Sequence, residues 1–283
     1  MPANYLALHK IAWQLRREVL QMVYEAQSGH LASALGLAEI FSVLYLGKIL
    51  RHDIQRPKWE KRDYFFLSNG HVCAIFYATL AKAGFFPMDE LKTFRQINSR
   101  LQGHTHFTFD MKKFLPGIEN SSGPLGQGIS QAAGMAMALK IDQKKNKVFC
   151  MMSDGEQQEG QIWEAYQFII HHHLNNLISI IDCNDIQISG TIEQTLSLGN
   201  LKLKLISFGF KVLEMDAHNT ADIFTKLTSA KNETKQPVII LAKSIPGKGV
   251  SFMENNHEWH GRVPTDNEYS QAMKELAIKE KSL

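Results

Sequence analysis

The sequence predicts an α/β fold, namely a doubly wound and mostly parallel sheet with helices on both faces. From Lys147 onward, apolar strand-like segments alternate with segments of helical period. The strand-like segments are almost continuously apolar, which is typical of parallel strands covered by helices on both sides. No internal repeat, low-complexity run or linker divides the 283 residues. We therefore expect one domain over residues 1–283, with residues 264–283 forming a capped helical tail that leads out of it.

The first half of the chain predicts mainly helices. Two helices are expected in the first fifty residues, separated at "QSGHLAS". A short strand should end at Asn69, and the helix after it should stop at Gly84. Residues 99–128 have no clear period and are rich in Gly, His and Pro. Because a connection of this length without regular structure is usually functional, this segment is expected to serve a site. A helix resumes over 128–141.

The second half alternates regularly between strand and helix. Strands are predicted over 147–154, 176–184, 210–216 and 237–244. Helices are predicted between them over 159–173, 201–209 and 221–232. The order strand, helix, strand then predicts one parallel sheet with helices on both faces.

Composition and charge exclude several classes of function. The formal net charge is +3 and no block of Lys or Arg stands out, which argues against nucleic-acid binding. The N-terminal twenty residues are typical of an amphipathic helix and not of a signal peptide. The most apolar stretch, residues 35–50, contains Glu39 and Lys48 and is short for a bilayer span. Three cysteines without a CxxC pair fit a reducing compartment, so we expect a cytoplasmic protein without membrane contact.

Polar side chains follow two successive strands of the predicted sheet. Asp154 and Gly155 follow the strand that starts at Lys147, and Asn184 ends the next strand. Ligands bind at the carboxyl ends of parallel strands, and Mg²⁺ prefers a few oxygen ligands completed by phosphate and water. Gly155 would let the backbone approach a phosphate at the start of a helix. Spacing alone leaves equally open that Asp154 merely caps the helix and that Asn184 occupies a turn.

Histidines are the second group of candidate functional residues. Of twelve histidines, four lie in Gly-rich turns, at His30, His71, His104 and His260. Imidazoles that titrate near neutrality suit proton transfer among hydroxyl groups. The run at 171–173 ends a helix, where consecutive residues point to different faces, so no metal site is predicted there.

Six motifs, in order along the chain, together resemble the N-terminal half of transketolases. They are "SGH" at 28–30, "SNGH" at 68–71, "RLQGH" at 100–104, "SSGPLGQG" at 121–128, "DGEQQEGQ" at 154–161 and "SFMENNHEWHG" at 251–261. The resemblance implies a thiamine diphosphate-binding fold of the diphosphate type. It also implies thiamine diphosphate and Mg²⁺ as cofactors, since thiamine diphosphate itself carries the carbanion chemistry.

The same resemblance implies a role for each matching residue. Mg²⁺ would be bound by Asp154, Asn184 and the main-chain carbonyl of Ile186. The cofactor would be bound by Gly155, Asn184, His71 and His260 at its diphosphate, and by the backbone at Gly123, Pro124 and Leu125 at its aminopyrimidine. The sugar would face His30, His104 and His260. Glu159 would contribute to the cofactor site through a proton network that crosses a subunit interface.

Half of a transketolase active site is missing from the sequence. In the family, a Glu from a pyrimidine-binding domain activates the cofactor, and no part of this chain corresponds to that domain. The resemblance therefore implies the N-terminal subunit of a split transketolase of carbohydrate metabolism, in the pentose phosphate pathway. It would transfer a two-carbon unit between sugar phosphates with a C-terminal partner subunit, in a dimer of heterodimers.

Three departures from the family pattern bear on this interpretation. Ser153 replaces the first Gly of a Gly-Asp-Gly triplet, Leu31 replaces a Pro, and the segment after His104 is longer than usual. A related thiamine enzyme, such as a deoxyxylulose-phosphate synthase or a transketolase for an unusual sugar, remains an alternative. So does a non-catalytic protein that kept only partner binding. A nicotinamide-binding Rossmann enzyme is excluded because no GxGxxG follows the first strand.

Overall fold

A computed structural model describes residues 4–283, so positions 1–3 of the predicted first helix lie outside the described residues. The helices are α1 (Tyr5–Ala26), α2 (Ala32–Gly36), α3 (Ala38–Phe41), α4 (Cys73–Ala83), α5 (Gln127–Ile141), α6 (Gly160–His171), α7 (Ile192–Leu196), α8 (Leu201–Phe208), α9 (Thr220–Asn232) and α10 (Asp266–Lys281). The strands are β1 (Tyr64–Leu67), β2 (Val148–Ser153), β3 (Leu177–Cys183), β4 (Ile186–Gln187), β5 (Gly190–Thr191), β6 (Lys211–Asp216) and β7 (Val238–Lys243).

Five strands form one sheet in the order β1-β2-β3-β7-β6, and every neighbouring pair is parallel. This confirms the predicted fold class. β4 and β5 form a separate two-stranded antiparallel hairpin that the sequence pattern did not predict. The register places Ser153 of β2 beside Asp182 of β3, so the polar residues that follow the two strands leave the sheet at the same edge.

Helices cover both faces of the sheet, and β2 shows how the sequence specifies this. All six residues of β2 are buried. Phe149 and Met151 belong to the apolar core that contains α1 and α4, whereas Cys150 and Met152 belong to the core that contains α5 and α6. Successive side chains of a strand point to opposite faces, so a strand between two helical layers must be apolar at every position. Burial of each such side chain contributes roughly 1.5–3 kcal/mol.

A buried ion pair joins helices α1 and α3, and His218, which follows β6, contacts it. Arg16 on α1 and Glu39 on α3 are both fully buried, and Arg16 Nη1 donates to Glu39 Oε1 at 2.9 Å. His218 Nδ1 lies 3.4 Å from Glu39 Oε2, and His218 Nε2 accepts from the Ile245 amide at 2.8 Å. Burial acts to raise the pKa of Glu39, but the Arg16 guanidinium and the His218 hydrogen bond lower it to about 2.

Five of the ten α-helices, namely α1, α7, α8, α9 and α10, begin at a residue whose side chain caps the helix. α1 starts at Asn4, whose side chain accepts from the Ala7 amide at 3.0 Å, and α4 ends at Gly84 in the left-handed conformation. The second predicted helix is broken into α2, α3 and a π-helical turn at Ser42–Leu46. No helix in residues 4–283 combines the length and the apolar character that a bilayer span requires.

The C-terminal helix α10 begins with a capping box between Thr265 and Glu268. It lies along α1, where Tyr269 stacks on Tyr24 with ring centroids 3.9 Å apart and Glu280 pairs with Arg17 at 2.9 Å. The expectation that this tail leads out of the domain is therefore wrong. Its apolar side consists of a few buried positions within a polar sequence, which is why the pattern suggested an exposed tail.

Residues 99–126 are irregular, as predicted, and side-chain hydrogen bonds hold them in place. The Asn120 carboxamide accepts from the Leu67 amide at 3.1 Å and donates to the Leu67 carbonyl at 3.2 Å, which fixes this segment to the end of β1. Ser122 Oγ accepts from the Thr105 amide at 3.1 Å. The irregular segment is thus anchored at the same sheet edge as the polar ends of β2 and β3.

Candidate cofactor site

A cavity of about 350 Å³ opens at the carboxyl ends of β2 and β3. Of the site residues predicted from the sequence, all except Pro124 and Asp154 line it. Those that line it are His30, His71, His104, Gly123, Leu125, Gly155, Glu159, Asn184, Ile186 and His260. These residues come from separate segments of the chain, and the fold brings them together around one cavity.

Asp154 bridges the ends of the two central strands. Its Oδ1 accepts from the Gly155 amide at 2.8 Å, and its Oδ2 accepts from the Asp185 amide at 2.7 Å. Asn184 Oδ1 accepts from the Ile186 amide at 3.0 Å, which turns the chain into the β4–β5 hairpin. The helix-cap and turn interpretations are therefore correct locally, but they also place a carboxylate and a carboxamide oxygen at the same edge.

Two buried carboxylates at this edge have no cationic partner. Asp154 and Asp182 are 6% and 0% exposed, and neither forms an ion pair with any part of the chain that the structure describes. Burial raises the pKa of Asp154 to about 6, and burial together with the Asp154 charge raises that of Asp182 to about 7. Uncompensated buried charge is costly, so the site suits a bound cation.

The oxygen donors at this edge fit Mg²⁺ better than a softer metal. Residues 4–283 contain no cluster of three or more His, Cys, Asp or Glu side chains arranged to hold a metal. Asp154, Asn184 and the main-chain carbonyl of Ile186 are instead a carboxylate, a carboxamide and a carbonyl. Mg²⁺ commonly takes one or two carboxylates and completes its shell with phosphate and water. The residues present therefore fit the predicted ion.

Three histidines form a compact group on one wall of the cavity. The ring centroids of His30, His71 and His260 lie 5.2 to 5.6 Å apart. Nδ1 of His30 and Nδ1 of His260 are buried without a hydrogen-bond partner in the described chain. Burial lowers the pKa of all three, that of His30 to about 4, and the neighbouring imidazoles lower the pKa of His30 and His71 further. The group is therefore neutral at pH 7 and keeps free nitrogens for a ligand.

His104 enters the cavity from the irregular segment. The Tyr77 hydroxyl donates to the His104 carbonyl at 3.2 Å, which anchors this segment to α4. Burial and the Arg95 guanidinium lower the pKa of His104. Gly123, beside this ring, has φ of 138°, a backbone conformation that residues with a side chain rarely adopt, so glycine allows the loop to turn here. His104 therefore faces the other three histidines as a neutral imidazole.

Glu156, a fully buried carboxylate beneath the cavity wall, was not predicted from the sequence. Its Oε1 accepts from the Gly126 amide at 2.6 Å and from the Ser68 hydroxyl, and its Oε2 accepts from the Ser153 amide at 3.1 Å. Ser153 Oγ in turn accepts from the Glu156 amide at 3.3 Å. This reciprocal pair is the S-x-x-E pattern of a capping box, which could have identified Glu156 from the sequence. Ser153 therefore fits its position by closing the turn.

Glu159 lies at the open side of the cavity. It is exposed where α6 begins, and its carboxylate makes no hydrogen bond within residues 4–283. Ile188, at the tip of the β4–β5 hairpin, also lines the cavity and is 72% exposed. The exposed carboxylate of Glu159 and the exposed apolar side chain of Ile188 make this opening of the cavity suited to contact with another polypeptide chain.

A parallel α/β sheet with a polar cavity at its carboxyl edge defines the class of cofactor-binding α/β enzyme domains. Residues 8–283 match the family described as "Transketolase, thiamine diphosphate binding domain". The chain belongs to the transketolase family and corresponds to this domain of it.

Similar proteins fall into two groups by length. A subunit of the apulose-4-phosphate transketolase from Phocaeicola vulgatus is 37% identical, over 93% of this chain and 91% of its own length. A 6-deoxy-6-sulfo-D-fructose transketolase subunit from Clostridium sp. is 35% identical, over 98% of each. The transketolase of Homo sapiens is 33% identical over 95% of this chain but only 42% of its own length.

Solved structures agree with the sequence comparison. The crystal structure of transketolase from Campylobacter jejuni superposes with a TM-score of 0.87 at 33% identity. It covers 96% of this chain and 43% of the longer one. The chain therefore spans less than half of these longer transketolases.

Proposed function

We propose that this chain is the N-terminal, diphosphate-binding subunit of a split transketolase. With a separate C-terminal subunit it would transfer a two-carbon ketol unit from a ketose phosphate to an aldose phosphate. Two relatives that are named as transketolase subunits match it over almost their whole length, which supports this assignment. The alternative of a non-catalytic protein is disfavoured because the four histidines and all the candidate ligands except Pro124 and Asp154 line one cavity.

The proposal rests on a cavity that this chain encloses on its inner side and leaves open on the other. Buried acids, amide donors and imidazoles surround the inner part of the cavity, whereas Glu159 and Ile188 border an open side. The activating Glu of the family comes from a pyrimidine-binding domain, and this chain matches only the diphosphate-binding domain. A second subunit would thus complete the cavity and supply that carboxylate.

The cofactor would be held by residues already placed at the sheet edge. Asp154, Asn184 and the carbonyl of Ile186 would hold Mg²⁺, and the ion would compensate the buried acids. Gly155, His71 and His260 would hold the diphosphate, with the backbone at 123–125 along the aminopyrimidine. When bound, thiamine diphosphate supplies the carbanion-stabilising chemistry.

The histidines would orient the hydroxyl groups of the sugar and accept their protons. Because their pKa values are lowered by burial, His30, His104 and His260 are neutral at pH 7. A neutral imidazole offers one N–H donor and one acceptor nitrogen, so it can orient a hydroxyl group and accept its proton. The same burial excludes water from the reacting hydroxyls.

The partner would cover the open rim of the cavity. Ile188 at the cavity is 72% exposed, and Glu159, which lines the same cavity, is also exposed. An exposed apolar side chain at the opening of a functional cavity suits an interaction surface. Glu159 on the same side would join a carboxylate network with the partner, in a dimer of heterodimers.

A reconstitution assay tests the proposed function. The purified chain, Mg²⁺, thiamine diphosphate, a ketose phosphate as donor and an aldose phosphate as acceptor are combined with or without a pyrimidine-binding subunit, and two-carbon transfer is followed by a coupled assay. We expect turnover only when both subunits are present. Full turnover by this chain alone, or none with any such subunit, would contradict the proposal.

The sugar itself is a further part of the proposal. Two relatives carry names that specify apulose 4-phosphate and 6-deoxy-6-sulfo-D-fructose, which are unusual sugars with a terminal anion. We therefore propose that the substrate of this chain is an unusual ketose that carries a phosphate or a sulfonate.

A further inference from the structure

Arg95 links two of the turns that carry the histidines of the cavity, and it has no role in the scheme above. Its Nη1 donates to Ser28 Oγ at 2.7 Å, and its Nη2 donates to the Gly103 carbonyl at 3.1 Å. Ser28 lies two residues before His30, and Gly103 is directly followed by His104. One guanidinium therefore joins the two segments that place these rings.

The backbone at Arg95 is strained, and its guanidinium is closely packed. Arg95 has φ of 59°, in the left-handed region that residues with a side chain rarely adopt. Its amide donates to the Leu101 carbonyl at 2.8 Å, which closes the loop between them. A Cβ at Gly103 would lie 3.0 Å from Arg95 Cζ, so the glycine lets the guanidinium lie against the backbone. Strain of this kind persists where neighbouring contacts hold it, and it occurs most often at functional sites.

The charge of Arg95 is not compensated by an acid. The side chain is half-buried, yet it forms no ion pair with any residue between 4 and 283. Its Nε is buried and has no hydrogen-bond partner in the same range. Arg100 shows the contrast, because Glu90 accepts from its Nε at 2.8 Å and from its Nη2 at 2.7 Å. A half-buried cation without a carboxylate costs stability, so a purely structural role does not account for Arg95.

The positive charge lies where it favours the neutral form of two imidazoles. Burial lowers the pKa of His104, and the Arg95 guanidinium lowers it further. Burial also lowers the pKa of His30 to about 4, with smaller contributions from His260, Arg95 and His104. The other titratable side chains around the two rings are His71, His260, Glu156 and Glu159 at the cavity, and Cys73 and Tyr77 behind His104 on α4. Arg95 is the permanent cation in this set.

We propose that Arg95 is a positioning residue for His30 and His104, which joins their two turns and opposes the protonation of both rings by its charge. The inference rests on the proposed function, because that function assigns the two rings to the sugar. The planar guanidinium fixes the turns through two donors, and its charge disfavours a second cation nearby. A neutral imidazole can accept the proton of a sugar hydroxyl, whereas an imidazolium cannot.

Two substitutions separate the hydrogen bonds of Arg95 from its charge. Arg95→Met removes both, whereas Arg95→Lys keeps the charge and loses the paired donors. In the reconstituted enzyme, kcat/KM for the ketose at its pH optimum should fall about tenfold in both variants, because the contact between the turns is lost. Activity is lost as pH falls through the pKa of the histidines. The acid limb of kcat/KM should therefore lie at higher pH in Arg95→Met than in the wild type, and at the wild-type position in Arg95→Lys. An unshifted limb in Arg95→Met, or an equal shift in both variants, would overturn the proposal.

A measurement on the chain alone separates this inference from the proposed function. The ring signal of His104 is followed by NMR as pH is lowered, in the wild type, Arg95→Met and Arg56→Met. Arg56 is exposed and pairs with Asp53, outside both turns, so its variant is the control and should titrate as the wild type does. We expect His104 to become protonated at higher pH in Arg95→Met.

Far-ultraviolet circular dichroism monitors the fold of each variant. If Arg95→Met does not fold, Arg95→Gln replaces it in both experiments, since it also removes the charge and keeps a donor. If the His104 signal titrates as in the wild type after the charge is removed, the inference is wrong. If the titration shifts but no partner subunit brings about turnover of a sugar, the proposed function fails and the effect of Arg95 on the histidines stands.

Discussion

The Asn184 carboxamide donates through Nδ2 to Oδ2 of the buried Asp182 carboxylate at 2.8 Å. The Ser244 hydroxyl donates to the other carboxylate oxygen, and Asn184 Nδ2 also lies 3.3 Å from Ser33 Oγ. These contacts fix the amide so that Oδ1, which accepts from the Ile186 amide at 3.0 Å, still offers its second lone pair to a cation. Asp182 is therefore a positioning residue for a candidate Mg²⁺ ligand.

Asp182→Asn should weaken Mg²⁺-dependent binding of thiamine diphosphate by about tenfold, because an amide at this position no longer selects one orientation of Asn184. Calorimetric titration of the reconstituted enzyme measures the affinity. The unfolding midpoint of the cofactor-free chain is the control, and it should not fall, since an uncompensated buried acid is removed. A lower midpoint with unchanged affinity would show that Asp182 serves only the fold.

Asp154→Ala and Asn184→Ala should each abolish Mg²⁺-dependent cofactor binding, since each removes one of the proposed oxygen ligands. The same titration gives the affinity, and far-ultraviolet circular dichroism monitors the fold. Unchanged affinity in both variants would place the metal elsewhere.

His30→Ala and His104→Ala should leave cofactor affinity nearly unchanged. They should lower kcat/KM for the ketose by roughly tenfold or more for each hydrogen bond to the sugar that is removed. Steady-state kinetics and cofactor titration on the same preparations separate the two effects. If a variant lost cofactor affinity and kept its kcat/KM at saturating cofactor, that histidine would be assigned to diphosphate binding.

Glu159→Gln should weaken activation by the partner subunit, because its carboxylate is exposed at the open side of the cavity. Titration of the partner against two-carbon transfer gives the half-activating concentration, which we expect to rise about fivefold when one charged interaction is removed. Glu214→Gln, at an exposed carboxylate of strand β6, is the control and should behave as the wild type. If the half-activating concentration of the partner were the same for both variants, Glu159 would not be part of the interface.

The Arg16–Glu39 pair makes stability depend on pH. The pKa of Glu39 is lowered from 4.5 to about 2, so the pair contributes fully above about pH 4.5 and its contribution disappears as pH falls towards 2. The shift corresponds to about 3 kcal/mol. Urea unfolding measures the free energy of unfolding, and the difference in this free energy between the wild type and Glu39→Gln should be smaller at pH 3 than at pH 7. A difference that is independent of pH would contradict this pKa.

The long strands were predictable because the hydrophobic pattern that specifies each of them lies within a few consecutive residues. Strands β2, β3 and β7 are apolar over almost their whole length, β6 alternates apolar and charged residues over most of its length, and each predicted range lies within two residues of the observed one. The β4–β5 hairpin has only two residues on each side, and the π-helical turn at Ser42–Leu46 depends on packing, so neither leaves a periodic signal.

The site was predictable where its residues lie in motifs and not where they lie in the core. His30, His71, His104 and His260 come together in space as the motifs implied. Asp182 was missed because it lies inside an apolar strand, where one acid has no recognisable spacing to a partner. Its role depends on Ser244, which is 62 residues away in the chain and adjacent only through the pairing of β3 with β7.

The sheet edge and the irregular segment impose different constraints on evolution. Asp154 and Asn184 are fixed by the register of β2 and β3, so a change in either strand would disturb the cofactor side. The segment between α4 and α5 is outside the sheet and is held by hydrogen bonds such as those of Asn120 with Leu67 and by the buried side chains of Leu101, Leu115 and Ile118. Its length can vary without shifting any strand. A lineage could therefore acquire a new sugar by insertion or recombination in this segment, and a laboratory graft of residues 105–119 between relatives would follow the same route.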